Sequence, residues 1–533
     1  MSRDRFIRAL AASATLLASA VMLSSCGSSS TSSSGSAADP ASIAPAGSAL
    51  YFTVVVRPSG SLKTGAVGAA REITHLSDPF GDLIGALDRA AGAHSSVSYA
   101  SDIAPWLGTR VGVFLDPAGA SAAGASAAPL SQAFAAIADS TDSTKATAFI
   151  DKVLRSAAQG QSLQSQSYDG ISYDTIGSNG REAGGVVNGF AVLGTVAGVR
   201  DVISTAKGGA ALSGSSSYQS SSSAVGAPGA LAGAFVNPES LTSLVAGSGN
   251  PEAQVLSSSI GQAGLHPVAL AISATVSSLV LDAGTSVSSA ASSSATGAAQ
   301  ALAALPGDAW LGLGLGNLGA DISHELGGST GNAALEQELL GVLDSHLHGL
   351  NIQRDILPWL GSAALFVTGA SVNTLGGALV IQSTNQAASK AAIPRIGAAL
   401  SGLPGVVVRA AKIPGADAGL SISPSGSPLV IYILDGNGRF AVAVGAQAAA
   451  QALRPTNTLA RSAIYHAASN ELGAGLQPTL LISIPSIARL VLPHLPPATA
   501  SKIKPYLNAF TVLASGTEHS ASGALTRLVL GLH

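Results

Sequence analysis

The sequence predicts an α+β fold made of two tandem related units, each with a mainly antiparallel sheet flanked by helices. Lone β-prone runs alternate with amphipathic stretches and with one clear hairpin, an order typical of antiparallel sheets that carry helices. Short blocks of sequence recur in the same order in both halves of the chain. The length of 533 residues also exceeds the size, about 250–300 residues, at which single cores stop growing.

The recurring blocks place the boundaries of the two units. Asp102–Gly108 returns as Asp355–Gly361, both with the pattern Asp-Ile-x-Pro-Trp-Leu-Gly. The two members of each match lie roughly 245–260 residues apart, which a duplicated unit explains better than chance. We expect units at 42–284 and 300–533, joined by a Ser/Ala-rich linker at 285–299. The further matches are Leu83–Asp88 with Leu339–Asp344, Asn188–Val192 with Asn437–Val442, and Leu212, Ser215 and Tyr218 with Leu459, Ser462 and Tyr465.

The first elements of a unit follow from local patterns. Leu50–Val56 is a β-prone run after a turn and predicts the opening strand. The apolar spacing of Leu83–Asp88 and Leu335–Asp344 predicts amphipathic helices. The proline of the Trp block disfavours helical geometry in its predecessor, which predicts that the helix has ended by then. Arg110–Leu115 then alternates as a strand does.

The later elements include the clearest hairpin in the chain. Leu429–Leu434 and Phe440–Val444 flank the turn Asp435–Gly438, which contains an Asn-Gly pair typical of hairpins. Val199–Lys207 and Gln447–Leu453 predict the helices that follow the hairpins of the two copies.

The uncharged stretch from Ile356 to Ser389 could be mistaken for a membrane helix. Pro358, Asn373 and the Gly376-Gly377 pair interrupt it, so no continuous helix of about 20 apolar residues is possible. We expect buried strands and turns in this stretch.

The N-terminal segment resembles a lipoprotein export signal. Three arginines within the first eight residues precede the apolar run Ala9–Leu23, which is shorter than the ~20 residues of a membrane span. Leu23-Ser24-Ser25-Cys26 resembles the lipobox of bacterial lipoproteins, which implies cleavage of a signal peptide, 1–25, and diacylglycerol on Cys26. Residues 26–41 would form a Ser/Gly-rich tether. An ordinary secretory signal is the alternative.

A family resemblance follows from these motifs together. The opening Pro-Ala-Gly-Ser-Ala-Leu-Tyr strand at 45–51, behind a lipobox and before Asp-Ile-x-Pro-Trp-Leu-Gly, resembles an uncharacterised actinobacterial family. Its members are catalogued as a domain of unknown function and are often predicted lipoproteins. The resemblance implies neither an activity nor a ligand, and it transfers no functional residues.

The low charge of the chain limits the classes of partner that we expect it to bind. Charged residues make up 10%, against about 25% in ordinary soluble domains, and the formal net charge is −3. No basic cluster follows the signal, so we expect no nucleic-acid partner. The predicted partners are the membrane, through the Cys26 lipid, and an envelope protein or an apolar ligand. The predicted location is the extracytoplasmic face of the cell membrane.

Two motifs resemble catalytic or cofactor-binding signatures. Gly314–Gly319 fits Gly-x-Gly-x-x-Gly, but the acidic residues at the required distance, Glu336 and Glu338, fall inside a predicted helix. Ser204–Lys207 and Ser501–Lys504 match Ser-x-x-Lys without the companion Lys-Thr-Gly. We interpret both as accidental and expect no cofactor. A Ser/His/Asp triad assembled only by the fold stays possible.

The best metal candidates are His346 and His348, with Asp344 and His324 nearby. Residues two apart on a helix point in different directions, so we expect no metal site there. Residues identical in the two copies are those of turns and packing, not acid–base chemistry. The paired aromatic residues are interpreted as core anchors rather than ligand-stacking groups. They are Trp106 and Trp359, and Tyr218 and Tyr465.

Three hypotheses for function follow. The favoured one is a non-enzymatic envelope lipoprotein that binds or contacts another envelope component. The second is a carrier or sensor for an apolar ligand such as a lipid. The third is a cell-envelope hydrolase, for which no catalytic residues are visible.

Overall fold

A computed structural model describes residues 38–78, 81–82, 85, 97–117, 133–177, 182–241, 266–285, 292–327, 350–520 and 523–533. The chain divides into two compact units, Met1–Val287 (unit 1) and Ser288–His533 (unit 2). Both units contain helices and antiparallel strands, so the predicted α+β class with mainly antiparallel sheets is confirmed.

Unit 1 contains an antiparallel sheet in the order β4-β5-β6-β7-β3-β2-β1-β8-β9-β10. Its opening strand β1 lies in the middle of the sheet, between β2 and β8. The strands are β1 Leu50–Val55, β2 Leu107–Asp116, β3 Ala133–Ser140, β4 Leu163–Tyr168, β5 Ile171–Ile176, β6 Glu182–Val187, β7 Phe190–Thr195, β8 Ala232–Val236, β9 Val268–Ala274 and β10 Ser278–Thr285.

Unit 2 has the order β14-β15-β16-β17-β13-β12-β11-β18-β19-β20, also antiparallel throughout its described pairs. Each strand takes the place of the strand numbered ten lower in unit 1. The strands are β11 Leu311–Asn317, β12 Leu360–Thr368, β13 Gly376–Ser383, β14 Val406–Ala410, β15 Ala418–Pro424, β16 Ile431–Gly436, β17 Arg439–Val444, β18 Pro478–Ser483, β19 Phe510–Ser520 and β20 Gly523–Leu532.

Some of the described helices also fall at corresponding places. Asp142 caps the N-terminus of α2 after β3, and Asn385 does the same for α8 after β13. In unit 1 the helices are α1 Gly60–Thr74, α2 Ser143–Ala158, α3 Val196–Ala206 and α4 Ser216–Ala224. In unit 2 they are α5 Ser292–Ala303, α6 Leu318–Gly327, α7 Ile352–Asp355, α8 Gln386–Ser401, α9 Ala446–Leu453, α10 Ala463–Leu472, α11 Ile484–Val491 and α12 Pro497–Asn508.

Most local predictions are confirmed. The opening strand and the strand around Arg110–Leu115 are β1 and β2, and the two helices after the hairpins are α3 and α9. The uncharged stretch from Ile356 to Ser389 contains β12 and β13, as expected of buried strands and turns. Within the described ranges, no helix has the length and apolarity that crossing a membrane requires.

The predicted hairpin exists, but its turn is tighter than the sequence suggested. β16 continues through Gly436 and β17 starts at Arg439, which leaves Asn437-Gly438 as a two-residue turn. Both residues have positive φ, 55° and 72°. This geometry matches the twist of the strands, and Asn-Gly tolerates it best. Asp435 therefore lies in a strand and is buried.

Two segments contain helix that the sequence analysis did not predict. Helix α5 begins at Ser292, within the segment predicted as a linker, and it packs on β11, while the domain boundaries stay a prediction. Ala104, directly before Pro105, has φ −55° and ψ −33°, so the Trp block is still helical there. The predicted helices over Leu83–Asp88 and Leu335–Asp344 fall largely or wholly outside the described residues.

Candidate functional site

The Asp-Ile-x-Pro-Trp motif forms the same hydrogen bond in both units. The indole Nε1 of Trp106 donates to the main-chain oxygen of Asp102 at 2.6 Å, and that of Trp359 donates to Asp355 at 2.7 Å. Both tryptophans are only 1% exposed. Their interpretation as core anchors is therefore confirmed.

In unit 1 the carboxylate of Asp102 is held by hydrogen bonds from two other residues. It accepts a hydrogen bond from the main-chain N–H of Ser98 at 2.7 Å, and both its oxygens lie 2.8 Å from Nζ of Lys152 in α2. Burial raises the pKa of Asp102, but the hydrogen bonds from Lys152 and Ser98 outweigh it, so the pKa is lowered overall. The group is held ionised.

Asp355 repeats this arrangement in unit 2. It accepts the main-chain N–H of Asn351 at 3.1 Å and a hydrogen bond from Arg395 of α8 at 2.7 Å. Arg354 adds a bidentate pair at 2.9 Å. The hydrogen bonds from Arg354 hold the pKa of Asp355 well below its usual range. Both aspartates thus act as fixed anions, unsuited to exchanging protons at neutral pH.

The cationic partners of these aspartates are not among the residues that are identical in the two halves of the sequence. Lys152 and Arg395 are each the tenth residue after the N-cap of their helix, Asp142 and Asn385. Their type differs but their charge is the same. A comparison by charge, aligned on Ser-Thr-Asp and Ser-Thr-Asn before the helices, would have found them.

The paired tyrosines lie in different surroundings. Tyr218 packs edge-on against Tyr51 and Phe235, with ring centroids 5.8 and 5.3 Å apart. Burial raises the pKa of Tyr218 to about 12. Tyr465 packs edge-on against His466, with ring centroids 6.5 Å apart. The core interpretation holds for Tyr218.

The Gly-x-Gly-x-x-Gly motif spans the end of β11 and the start of α6. β11 pairs antiparallel with both of its neighbours, whereas dinucleotide folds use parallel strands. A Cβ at Gly314 would overlap the main-chain oxygen of Ala298, and one at Gly319 would press on that of Leu360. These glycines permit close backbone packing.

The other predicted motifs bring no reactive groups together. The Ser204 hydroxyl donates to the Tyr168 hydroxyl at 3.4 Å, and that of Ser501 donates to the Ala498 oxygen at 3.1 Å. Cys26, Asp344, His346 and His348 lie outside the described residues, as does the side chain of His324. Among the residues that the structure describes, no three His, Cys, Asp or Glu side chains could share a metal.

A buried hydroxyl chain in unit 2 bears on the hydrolase hypothesis. Ser383 donates to Ser389 at 2.9 Å, and Ser389 donates to Oδ2 of Asp435 at 2.6 Å. Burial raises the pKa of Asp435. Ser389 and Asp435 are both 0% exposed. This pair links α8 to β16 and offers no hydroxyl to a substrate.

Unit 1 has an apolar sheet face, called here open face 1. Cross-strand pairing through β2, β1, β8, β9 and β10 places its seventeen residues on one side of the sheet. Sixteen are apolar, one is threonine and none is charged. They are Leu50, Phe52, Val54, Val111, Val113, Leu115, Ala232, Ala234, Val236, Val268, Leu270, Ile272, Ala274, Leu279, Leu281, Ala283 and Thr285.

Helix α1 covers one end of open face 1, where Val54 and Val111 pack with its Val67 in the Trp106 core. Other helices cover the opposite side of this sheet. There Tyr51, Phe114 and Phe235 form a core with Val199 and Val202 of α3. On open face 1 only Val111 and Ala274 are fully buried. Phe52 is 50% exposed, Ile272 45% and Leu281 37%. Contiguous exposed apolar side chains mark interaction surfaces.

Unit 2 has a corresponding surface, open face 2, over β12, β11, β18, β19 and β20. Its apolar part has twelve residues, of which eleven are apolar and one is serine. The same side of β19 and β20 continues into Thr517, His519, Ala524 and Thr526. Leu313 and Leu365 are the most exposed, at 37% and 36%. The residues are Leu311, Leu313, Leu315, Ala363, Leu365, Val367, Leu480, Ile482, Leu513, Ser515, Leu528 and Leu530.

Comparison with known families identifies the chain. A model of the family described as protein of unknown function (DUF3352) matches residues 8–525. The chain belongs to this family. The expected membership of a family without known function is thereby confirmed, whereas the lipobox, the repeat and the actinobacterial origin stay predictions. No curated protein and no solved structure matches the chain.

One buried carboxylate in unit 1 of this DUF3352 protein predicts a pH effect. Burial, and to a lesser degree Asp116, raises the pKa of Asp201 to about 6. Its Oδ2 has no hydrogen-bond partner in the described part of the chain. The folded state therefore keeps a proton that the unfolded state loses, and stability falls as pH rises from about 4 to 6.

We expect Asp201→Asn to remove this loss. Near pH 4 its free energy of unfolding should match the wild type, and above pH 6 it should be higher by about 1–2 kcal/mol, since partial exposure screens the effect. Urea unfolding across this pH range measures the difference. Asp169→Asn, at an exposed turn, is the matched control and should follow the wild-type curve. A constant difference at every pH would contradict the assignment.

Proposed function

We propose that this protein is a non-enzymatic lipoprotein, held through Cys26 on the extracytoplasmic face of the cell membrane, that binds another envelope component. Its two units would be copies of one duplicated α+β unit. The observation that carries the proposal is that both units repeat the same strand order, Asp–Trp hydrogen bond and apolar open face. What repeats is packing and an apolar surface rather than catalytic groups.

The strand order supports the duplication independently of the matched sequence blocks. Chance would rarely place an opening strand inside the sheet and the nine other strands in the same order in both units. The bridges Pro45 to Ala211 and Pro306 to Thr458 fall at matching points as well. Turn and packing residues recur because they specify this topology.

The second candidate, a carrier or sensor for an apolar ligand, is favoured by the open faces. Where no described helix covers such a face, hydrocarbon-like side chains are exposed to water, at a cost of about 25 cal/mol per Å². A bound apolar molecule would recover that free energy. This candidate uses the same location and surface, and differs from the first in the kind of partner.

The anchor is tested by Cys26→Ser. We expect the wild type to remain in carbonate-washed membranes with the first 25 residues removed, because two acyl chains bind a bilayer stably. Cys26→Ser should keep its leader and lack the lipid. The measurements are membrane fractionation, incorporation of a labelled fatty acid and mass spectrometry of the N-terminal peptide.

A second variant checks that position matters rather than the mere presence of a thiol. Cys26→Ser with Ser28→Cys restores a cysteine two residues beyond the lipobox and should not restore lipidation. Ser28→Ala alone is the control and should behave as wild type. A Cys26→Ser protein that is still processed and lipidated would contradict lipid attachment at Cys26. If the lipidated wild type, used as bait in a pull-down from membranes, recovers no partner, that result would count against the binding role.

A further inference from the structure

We propose that open face 1 binds an acyl chain of a phospholipid drawn from the membrane in which the protein is anchored. The inference deepens the proposed function and rests on it only for the proximity of the membrane. The argument uses the chemistry of the face, its dimensions and the length of chain between Cys26 and the folded unit.

The chemistry of open face 1 favours hydrocarbon over a protein partner. Its only side-chain hydrogen-bonding group is the hydroxyl of Thr285, and none of its seventeen residues carries a charge. Protein interfaces carry about one hydrogen bond per 100–200 Å². A partner that makes none across so wide a surface must itself be hydrocarbon, as an acyl chain is.

The width of the face suits an acyl chain. Its five strands are separated by four spacings of 4.7–4.9 Å, which gives about 19 Å across the strands. One leaflet of a membrane's hydrocarbon core is about 15 Å thick, close to the length of one acyl chain. The most exposed side chains, Phe52, Ile272 and Leu281, lie on β1, β9 and β10, which are separated by three of these spacings, about 14 Å.

The short segment between Cys26 and unit 1 favours the membrane as the source of the acyl chain and unit 1 as its binding site. Cys26 lies twelve residues before Ala38, where the described structure begins. Because a chain advances at most about 3.3–3.6 Å per residue, Ala38 can lie no more than about 40 Å from Cys26. Unit 1 is thus confined next to the bilayer, where acyl chains are concentrated.

The experiment is photo-crosslinking on the full-length lipidated protein. Phosphatidylethanolamine with a diazirine on a palmitoyl chain is introduced into the membranes and irradiated, and the adducts are mapped by mass spectrometry. We expect adducts on peptides containing β1, β8, β9 and β10. Phe52→Gln with Ile272→Gln should lower their yield about 10-fold, because both side chains lose apolar contact area.

Matched variants separate binding from folding. Val276→Gln changes an equally exposed apolar residue, 60% exposed in the turn between β9 and β10 and off the face, and should label as wild type. Phe52→Leu with Ile272→Val keeps the surface apolar and should retain labelling. The wild-type map needs no variant, so a misfolded double variant does not remove the test.

Three outcomes would overturn the inference. They are adducts spread over both units without preference, adducts on the face that the glutamines leave unchanged, and an absence of lipid adducts from the peptides of the face. The mass of the N-terminal peptide reports on Cys26 separately. Face adducts on a protein without lipid at Cys26 would refute the anchor but support the acyl-chain site. Lipid at Cys26 without face adducts would support the anchor but refute the acyl-chain site.

Discussion

Trp359→Ala is expected to destabilise unit 2 by about 3–5 kcal/mol, the usual cost of replacing a fully buried tryptophan with alanine. The indole is 1% exposed and packs against the tilted ring of Phe440, with ring centroids 4.8 Å apart. Its loss leaves a cavity beside Leu360 and Ile393 in the same core. A domain is stable by only about 5–15 kcal/mol, so much of the fold's margin disappears.

The measurement is urea unfolding followed by far-ultraviolet circular dichroism. Trp359→Phe is the matched variant, because it keeps a ring but loses the hydrogen bond to the Asp355 oxygen. It should cost about 1–2 kcal/mol beyond the change in packing volume. If Trp359 instead bound a ligand, Trp359→Ala would leave stability nearly unchanged and impair binding, which is the result that contradicts the core assignment.

Gly314→Ala is expected to cost about 3 kcal/mol although it adds a single methyl group. The new Cβ would overlap the main-chain oxygen of Ala298, and a helix backbone cannot move aside as a flexible side chain can. Helix α5 would have to lift from β11, which would also disturb Leu302 and Leu305 above Gly312.

Thermal unfolding of the purified variant measures this cost. The control is Gly214→Ala, where a Cβ would have no atom within 4 Å, and which should stay within about 0.5 kcal/mol of wild type. A Gly314→Ala protein as stable as the wild type would show that α5 does not pack on β11 as described. The Gly-x-Gly-x-x-Gly pattern would then need another explanation.

The two units solve the same packing problem differently at this point. Tyr51 and Gly312 hold equivalent places, each following a leucine that pairs with the second strand of its sheet. In unit 1 the tyrosine ring itself fills the space above β1. In unit 2 a glycine leaves that space to Leu302 of α5. An alignment by identity cannot detect such an exchange, because the volume is conserved and the residue is not.

The sequence comparison did not detect the ion pairs of the two units for a related reason. Asp102 and Asp355 were visible as repeated residues, but their partners Lys152 and Arg395 lie on a helix far along the chain. The partners differ in type because a surface-accessible cation of either kind neutralises the carboxylate. Only the fold shows that these four residues form two equivalent ion pairs.

By itself the sequence determined the local elements: the opening strand, the Asn-Gly hairpin, the helices after it and the recurring Trp block. Propensity, turn chemistry and periodicity act over a few residues, so they can be read without the fold. Tertiary structure alone decided the strand order, the ion pairs and which sheet face stays open. In strands such as Val268–Ala274 almost every residue is apolar or small, so alternation does not tell the two faces apart. Helices arriving from distant parts of the chain cover one of them. On the other, helix α1 covers only one end, and the rest is left as the apolar surface.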